Sequence, residues 1–174
     1  MNSLSKALVG ASALLLVAAP ALAADVTVPV KGTGGADMGQ AVLTEGPSGV
    51  LLRLELKGLT PGWHAVHFHE KADCSDPKFT SAGAHINHAA AKKPHGLLNP
   101  AGPDMGDLPN IYAGADGAAH AQVFSALVSM KGVGDRPGLQ DADGSAIVVH
   151  ANADDYTAQP IGGAGDRVAC GVIK

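Results

Sequence analysis

The sequence predicts an all-β domain, a sandwich or barrel of many short antiparallel strands. Three observations carry this. Apolar and polar residues alternate with a period of two, most cleanly in 50–57, where Leu52, Leu54 and Leu56 alternate with Arg53, Glu55 and Lys57. Turn residues recur between such stretches, in a chain with 23 glycines and 11 prolines. No stretch sustains a helical period, and there is no internal repeat.

The first segment stands apart from that domain. Lys6 opens it, 7–19 is an apolar run with Leu14, Leu15, Leu16 and Val17, and Ala21-x-Ala23 fits a signal-peptidase site. The run is too short to span a bilayer comfortably. Residues 1–23 are therefore expected to be a signal peptide and 24–174 the mature domain, exported to a bacterial periplasm and free of the membrane after cleavage. Within 24–174, 26–30 reads as an edge strand, because Pro29 has no N–H to give a ladder. A Gly-rich turn at 32–39 precedes a short strand at 40–44, and 50–57 follows. The turn 58–62 leads into 62–70, where Val66 and Phe68 alternate with His67 and His69. One face of that strand goes to a core, and the other presents two imidazoles side by side. Residues 70–110 form a long loop rich in Gly, Pro, Asp and His; loops of that length inside a compact domain are usually functional. Strands resume at 110–113, 119–130 and 146–150, with turns at Asp116-Gly117 and Asp143-Gly144. A second loop, 151–166, leads to the last strand, 167–173.

Composition excludes several classes. The formal charge is −4, or −5 once Lys6 is removed, and aromatics make up 3% of the chain. Neither suits nucleic-acid binding. Two cysteines, Cys74 and Cys170, in an exported chain imply one disulfide. Closing so long a loop is worth at most roughly 4–5 kcal/mol in the chain-entropy model. His67, His69, His85 and His150 can be put forward as ligands of one ion, and four imidazoles suit Cu(II).

The motifs Gly62-x-His64-x-x-His67-x-His69, Thr80-Ser81-Ala82-Gly83-x-His85, Gly106-Asp107-Leu108-Pro109-Asn110, Val148-Val149-His150 and Gly165-x-Arg167-x-Ala169-Cys170-Gly171-Val172-Ile173 occur in this order. With them the chain resembles the copper/zinc superoxide dismutases, from about Val26 to the C-terminus. The resemblance implies an eight-stranded Greek-key β-barrel with two long metal-site loops. It implies copper on His67, His69, His85 and His150, with His85 shared with zinc, and superoxide as the substrate. His95 and Asp107 match zinc ligands, and Cys74 and Cys170 match the family disulfide. Asp154 matches a carboxylate joining a copper histidine to a zinc histidine, and Arg167 matches the arginine that receives the anion. The resemblance leaves monomer and homodimer both open.

One position departs from the pattern. Where the family reads His-x-Gly-Asp-Leu, this chain reads Asp104-Met105-Gly106-Asp107-Leu108. Carboxylates are ordinary zinc ligands, so the expected zinc set is His85, His95, Asp104 and Asp107. The alternatives are a weak or vacant zinc site, or a loop shift that brings in His88. The loop 151–166 holds no lysine, which leaves attraction of the substrate to Arg167 with Lys92 and Lys93. His64 shares parity with Val66 and Phe68 and is read as a structural histidine. His120 is read as solvated, Trp63 as a loop-packing residue and Glu70 as a local salt-bridge or turn partner.

Overall fold

The computed structural model describes residues 24–87 and 92–174. The expected signal segment 1–23 and His88 lie outside the described residues. Among those described are nine strands: β1 (Val26–Gly32), β2 (Asp37–Gly46), β3 (Gly49–Leu56), β4 (Gly62–His64), β5 (Val66–His69), β6 (Ile111–Ala113), β7 (Ala119–Ser125), β8 (Ser145–His150) and β9 (Arg167–Ile173). Seven form one antiparallel sheet in the order β5-β8-β9-β1-β2-β3-β7, and β4 pairs with β6.

β4 and β5 are two halves of the histidine stretch, parted at Ala65. There the backbone turns to the second loop and to β8: Ala65 N–H donates to the Asn152 carbonyl (2.8 Å), and the Ala65 carbonyl accepts from His150 N–H (2.9 Å). The stretch thus exchanges β6 for β8 as its neighbour. Taken as one strand, the halves give the eight strands expected. β6 packs beside β7 and brings the two ends of the curled ribbon together. β3 precedes β4 and β7 precedes β8 without pairing to them, a Greek-key succession.

β3 obeys its period. Leu52, Leu54 and Leu56 are buried while Glu55 faces water. Each buried leucine contributes on the order of 1.5–3 kcal/mol. β8 is buried along its whole length because it has cover on both faces. Ile147 and Val149 join Phe68, Leu52 and Leu54 in the main core. Ala146 and Val148 join Phe79, Ala82 and Cys170 in a second, smaller cluster under the first loop.

Three strands differ from expectation. β1 is interior in strand order, between β2 and β9, although only Lys31 and Gly32 pair with β9. Pro29 is thus tolerated where that side carries no ladder. β2 is longer than 40–44 because it is paired on both sides; at Gly39 (φ +105°) a Cβ would lie 2.0 Å from the Glu55 carbonyl oxygen, so only glycine fits. β7 stops at Ser125 rather than running to residue 130. Ala119, Val123 and Ser125 point in, but the next fully buried residue is Val128, so the period of two breaks there.

The long loop contains one 3-10 turn, Thr80–Ala82, among its described residues. Cys74 is bonded to Cys170 of β9, Cα to Cα 5.9 Å. Asp76 accepts from the N–H groups of Ser81 (2.6 Å) and Lys78 (2.9 Å), which hold its carboxyl at a pKa of about 2. Exchanging the bonded pair, Cys74→Ser with Cys170→Ser, is expected to lower unfolding stability by about 2–5 kcal/mol in urea titrations. An unchanged midpoint would mean that hydrogen bonds alone hold the loop.

Candidate metal centre

β5 and β8 lie side by side, with His67 opposite Val148 and His69 opposite Ala146. His150 ends β8, and His85 reaches in from the first loop through a bridge to His69. All four rings are buried, and one ring nitrogen from each falls within 4.8 Å of the others.

The back of each ring is held by an oxygen. His69 Nδ1 donates to the Gly83 carbonyl (3.0 Å), and His150 Nδ1 donates to the Gly165 carbonyl (3.1 Å). His67 Nε2 is bonded to Asp154 Oδ2 and His85 Nδ1 to Asp104 Oδ2, both at 3.0 Å. A carbonyl or carboxylate oxygen can only accept, so these nitrogens carry the protons. The opposite nitrogens, His67 Nδ1 and the Nε2 atoms of His69, His85 and His150, are buried without any hydrogen-bond partner. These are bare lone pairs aimed at one point, which suits an ion with nitrogen ligands. Burial drives His69 well below its ordinary pKa, His150 down to about 3, and His67 downward, so the lone pairs stay free of protons at neutral pH.

A second set adjoins the first. His67, His85, His95 and Asp107 bring one ligand atom each within 4.8 Å of one another. His95 Nδ1 and Asp107 Oδ1 are 2.5 Å apart yet form no hydrogen bond, and both are buried and unpartnered. Such a pair suits a shared cation better than a shared proton. Asp104 is not in this group of four but is tied to it through His85. Here the electrostatics reverse. Burial works against charge on His95, but Asp107 and Asp154 outweigh it and push its pKa up to about 10. His85 is raised in the same way by Asp104 and Asp107. Asp107 is held well below the usual carboxylate range: burial opposes this but is outweighed by His85 and His95.

Asp154 joins the two sets. Its Oδ2 holds His67 Nε2, and its Oδ1 holds His95 Nε2 at 3.0 Å. Its backbone is clamped by Asn110, which gives Nδ2 to the Asp154 carbonyl and takes the Asp154 N–H, each at 2.9 Å. Gly162 leaves room for it: a Cβ there would lie 1.7 Å from Asp154 Oδ1.

Arg167 opens β9. Its Nη1 donates to the Phe79 carbonyl (2.6 Å) and its Nη2 to the same Gly83 carbonyl that holds His69 (2.7 Å). Both of these partners are neutral; the nearest carboxylate influence on its charge is that of Asp76, which does not bond it. A cleft of about 440 Å³ is lined by Arg167 and His85 together with Lys92, Lys93, Glu70 and Asp104.

Every described residue expected at the site is thus gathered around β5, the end of β8, the start of β9 and the two long loops. His64 is structural, as expected: its ring bonds the carbonyls of His150 and Thr60, each at 2.7 Å. His120 is exposed, and Glu70 accepts the Ala84 N–H (3.2 Å) as a turn partner. Trp63 is not a loop-packing residue; it stands 58% exposed on β4, edge to face with Tyr112. The sequence reading missed the carbonyls of Phe79, Gly83 and Gly165 and the Asn110 clamp. The carbonyls have no side-chain signal, because any residue supplies one. Asp154→Ala is expected to weaken metal binding in both sets by about 10–100-fold in chelator competition. Wild-type affinity in the folded variant would remove Asp154 from the assembly.

Residues 37–173 match the family model described as copper/zinc superoxide dismutase. The chain is 68% identical over 148 residues to a Cu-Zn superoxide dismutase of Caulobacter vibrioides, covering 85% of this chain and 84% of that one. It is 42% identical over 175 residues to Cu-Zn superoxide dismutase 2 of Aquifex aeolicus, covering 100% of each. Among solved structures, it is similar to a double mutant of a SOD-like protein from Bacillus subtilis. That match has a TM-score of 0.79 and 36% identity, and covers 84% of this chain and 95% of that one.

Proposed function

The chain belongs to the copper/zinc superoxide dismutase family, and from that premise we propose how its residues divide the work. The protein is an oxidoreductase that dismutes superoxide, and it uses copper and zinc. In our reading copper is held by His67, His69, His85 and His150, and zinc by His85, His95, Asp104 and Asp107. The observation that carries this is the pattern of bare atoms. Of the seven buried side-chain atoms without partners among the described residues, six, from His67, His69, His85, His95, Asp107 and His150, lie in two clusters, His67, His69, His85 and His150, and His67, His85, His95 and Asp107; Asp104 is joined to the second cluster through His85.

Copper, when bound, supplies a one-electron couple that takes an electron from one superoxide and gives one to a second, while zinc supplies charge that orients His85. The remaining work falls to the chain. Arg167 offers a fixed guanidinium at the mouth of the cleft, where it draws in and orients the anion without reorganising. Lys92 and Lys93, on the same cleft, add attraction over a longer range. When not ligating the metal, His85 Nε2 would hold one of the two protons that the second superoxide requires, and solvent in the cleft would supply the other. Two superoxide ions and two protons yield one dioxygen and one hydrogen peroxide.

The apolar run at 7–19 ending in Ala21-x-Ala23, together with the Cys74–Cys170 disulfide, supports action in the periplasm as an antioxidant defence.

Arg167→Ala is expected to keep its copper while its rate falls on the order of a hundredfold, with weaker inhibition by small anions. A wild-type rate in the copper-loaded variant would defeat the docking role. Elemental analysis of the purified protein is expected to give copper and zinc in equal amounts. Copper without zinc would mean that Asp104 does not complete the second set.

A further inference from the structure

We propose that Asp104 is a positioning residue that keeps His85 aimed at the copper set when the zinc set carries no ion. The inference rests on the ligand assignment above and extends it to the one position where the chain leaves the family pattern.

The two aspartates of the zinc set are in different states. Asp107 Oδ2 is saturated by the N–H groups of Gly96 (2.7 Å) and Asp104 (3.0 Å), while its Oδ1 has no hydrogen-bond partner. Asp107 therefore has an atom with no use except a cation. Asp104 has none. Its Oδ1 accepts the Gly106 N–H (2.9 Å), and its Oδ2 accepts His85 Nδ1–H (3.0 Å). Its carboxylate has a task in the absence of any metal.

That task fixes His85. With Nδ1 bonded to a buried carboxylate, the ring is locked in one tautomer and its bare Nε2 points at the nitrogens of His67, His69 and His150. A histidine backed by a carboxylate on one nitrogen and offering the other to a metal is a general way of setting ring orientation and ligand basicity. Asp104 is itself well anchored. It is 4% exposed, its N–H is tied to Asp107, and its free oxygen is tied to Gly106. A carboxylate accepts from either oxygen, whereas an imidazole here would have one acceptor nitrogen to spend. His85 is thus oriented by zinc when zinc is present and by Asp104 when it is not.

The test uses zinc-free, disulfide-intact protein with copper alone as the probe, titrated against a chelator and followed by electron paramagnetic resonance. Wild type is expected to bind one copper with histidine nitrogen coupling. Asp104→Asn retains an oxygen acceptor and is expected to stay close to wild type. Asp104→Ala is expected to bind copper about 10–100-fold more weakly and to change the copper hyperfine pattern. As a check independent of any variant, nitrogen-15 NMR of the zinc-free, Cu(I)-loaded wild type is expected to show a slowly exchanging proton on His85 Nδ1. Equal affinity and spectrum in Asp104→Ala, or no proton on that nitrogen, would overturn the inference while leaving the copper assignment intact. Wild-type copper without histidine nitrogen coupling would overturn the copper assignment, and this inference with it.

Discussion

A buried imidazole nitrogen with no hydrogen-bond partner costs about 1–3 kcal/mol, and this protein gathers four of them around one point. The arrangement survives because each ring is held from behind. The backing atoms are two main-chain carbonyls, Gly83 and Gly165, and two carboxylates, Asp154 and Asp104. The rest of the site follows from the need to bring those atoms to the right places. β5 and β8 supply a rigid wall for His67, His69 and His150. The two long loops supply everything behind them. An ion arriving at the centre relieves the cost, so metal binding and folding are thermodynamically joined.

The two halves of the site hold opposite preferences within one buried volume. The half built of imidazoles favours neutral rings, because burial dominates and no carboxylate touches His69 or His150. The other half is rich in carboxylate and favours positive charge, as His95 shows. Asp154, His67 and His85 are the groups that belong to both. Arg167 adds to the first preference, because its charge helps burial keep His69 and His150 neutral; its bonds go to carbonyls, which fixes its direction toward the cleft.

Much of this was legible in the sequence, for reasons that differ residue by residue. The strands and the facing of His67 and His69 follow from a period of two, which any half-buried strand must obey. β7 ran shorter than its apolar letters suggested because the period fails between Ser125 and Val128. The roles of His95, Asp107 and Asp154 come from loops, where no period exists, so only resemblance to a family could suggest them; His85, also in a loop, could be put forward only as a fourth imidazole beside His67, His69 and His150. The backing carbonyls left no trace, since main-chain oxygens are common to every residue. Trp63 and Tyr112 pack edge to face across β4 and β6, a pairing set by a register that local composition does not encode.

The exchange of neighbours at Ala65 bears on how such a chain can diverge. A segment answerable to β6 before that residue and to β8 after it has no latitude to slide. A slip of one position would carry Phe68 to the polar side and both imidazoles into the oily interior. Insertions and deletions are therefore expected in the hairpin bend between β2 and β3 and in the long connections, and not within 62–69, where they would break one pairing or the other.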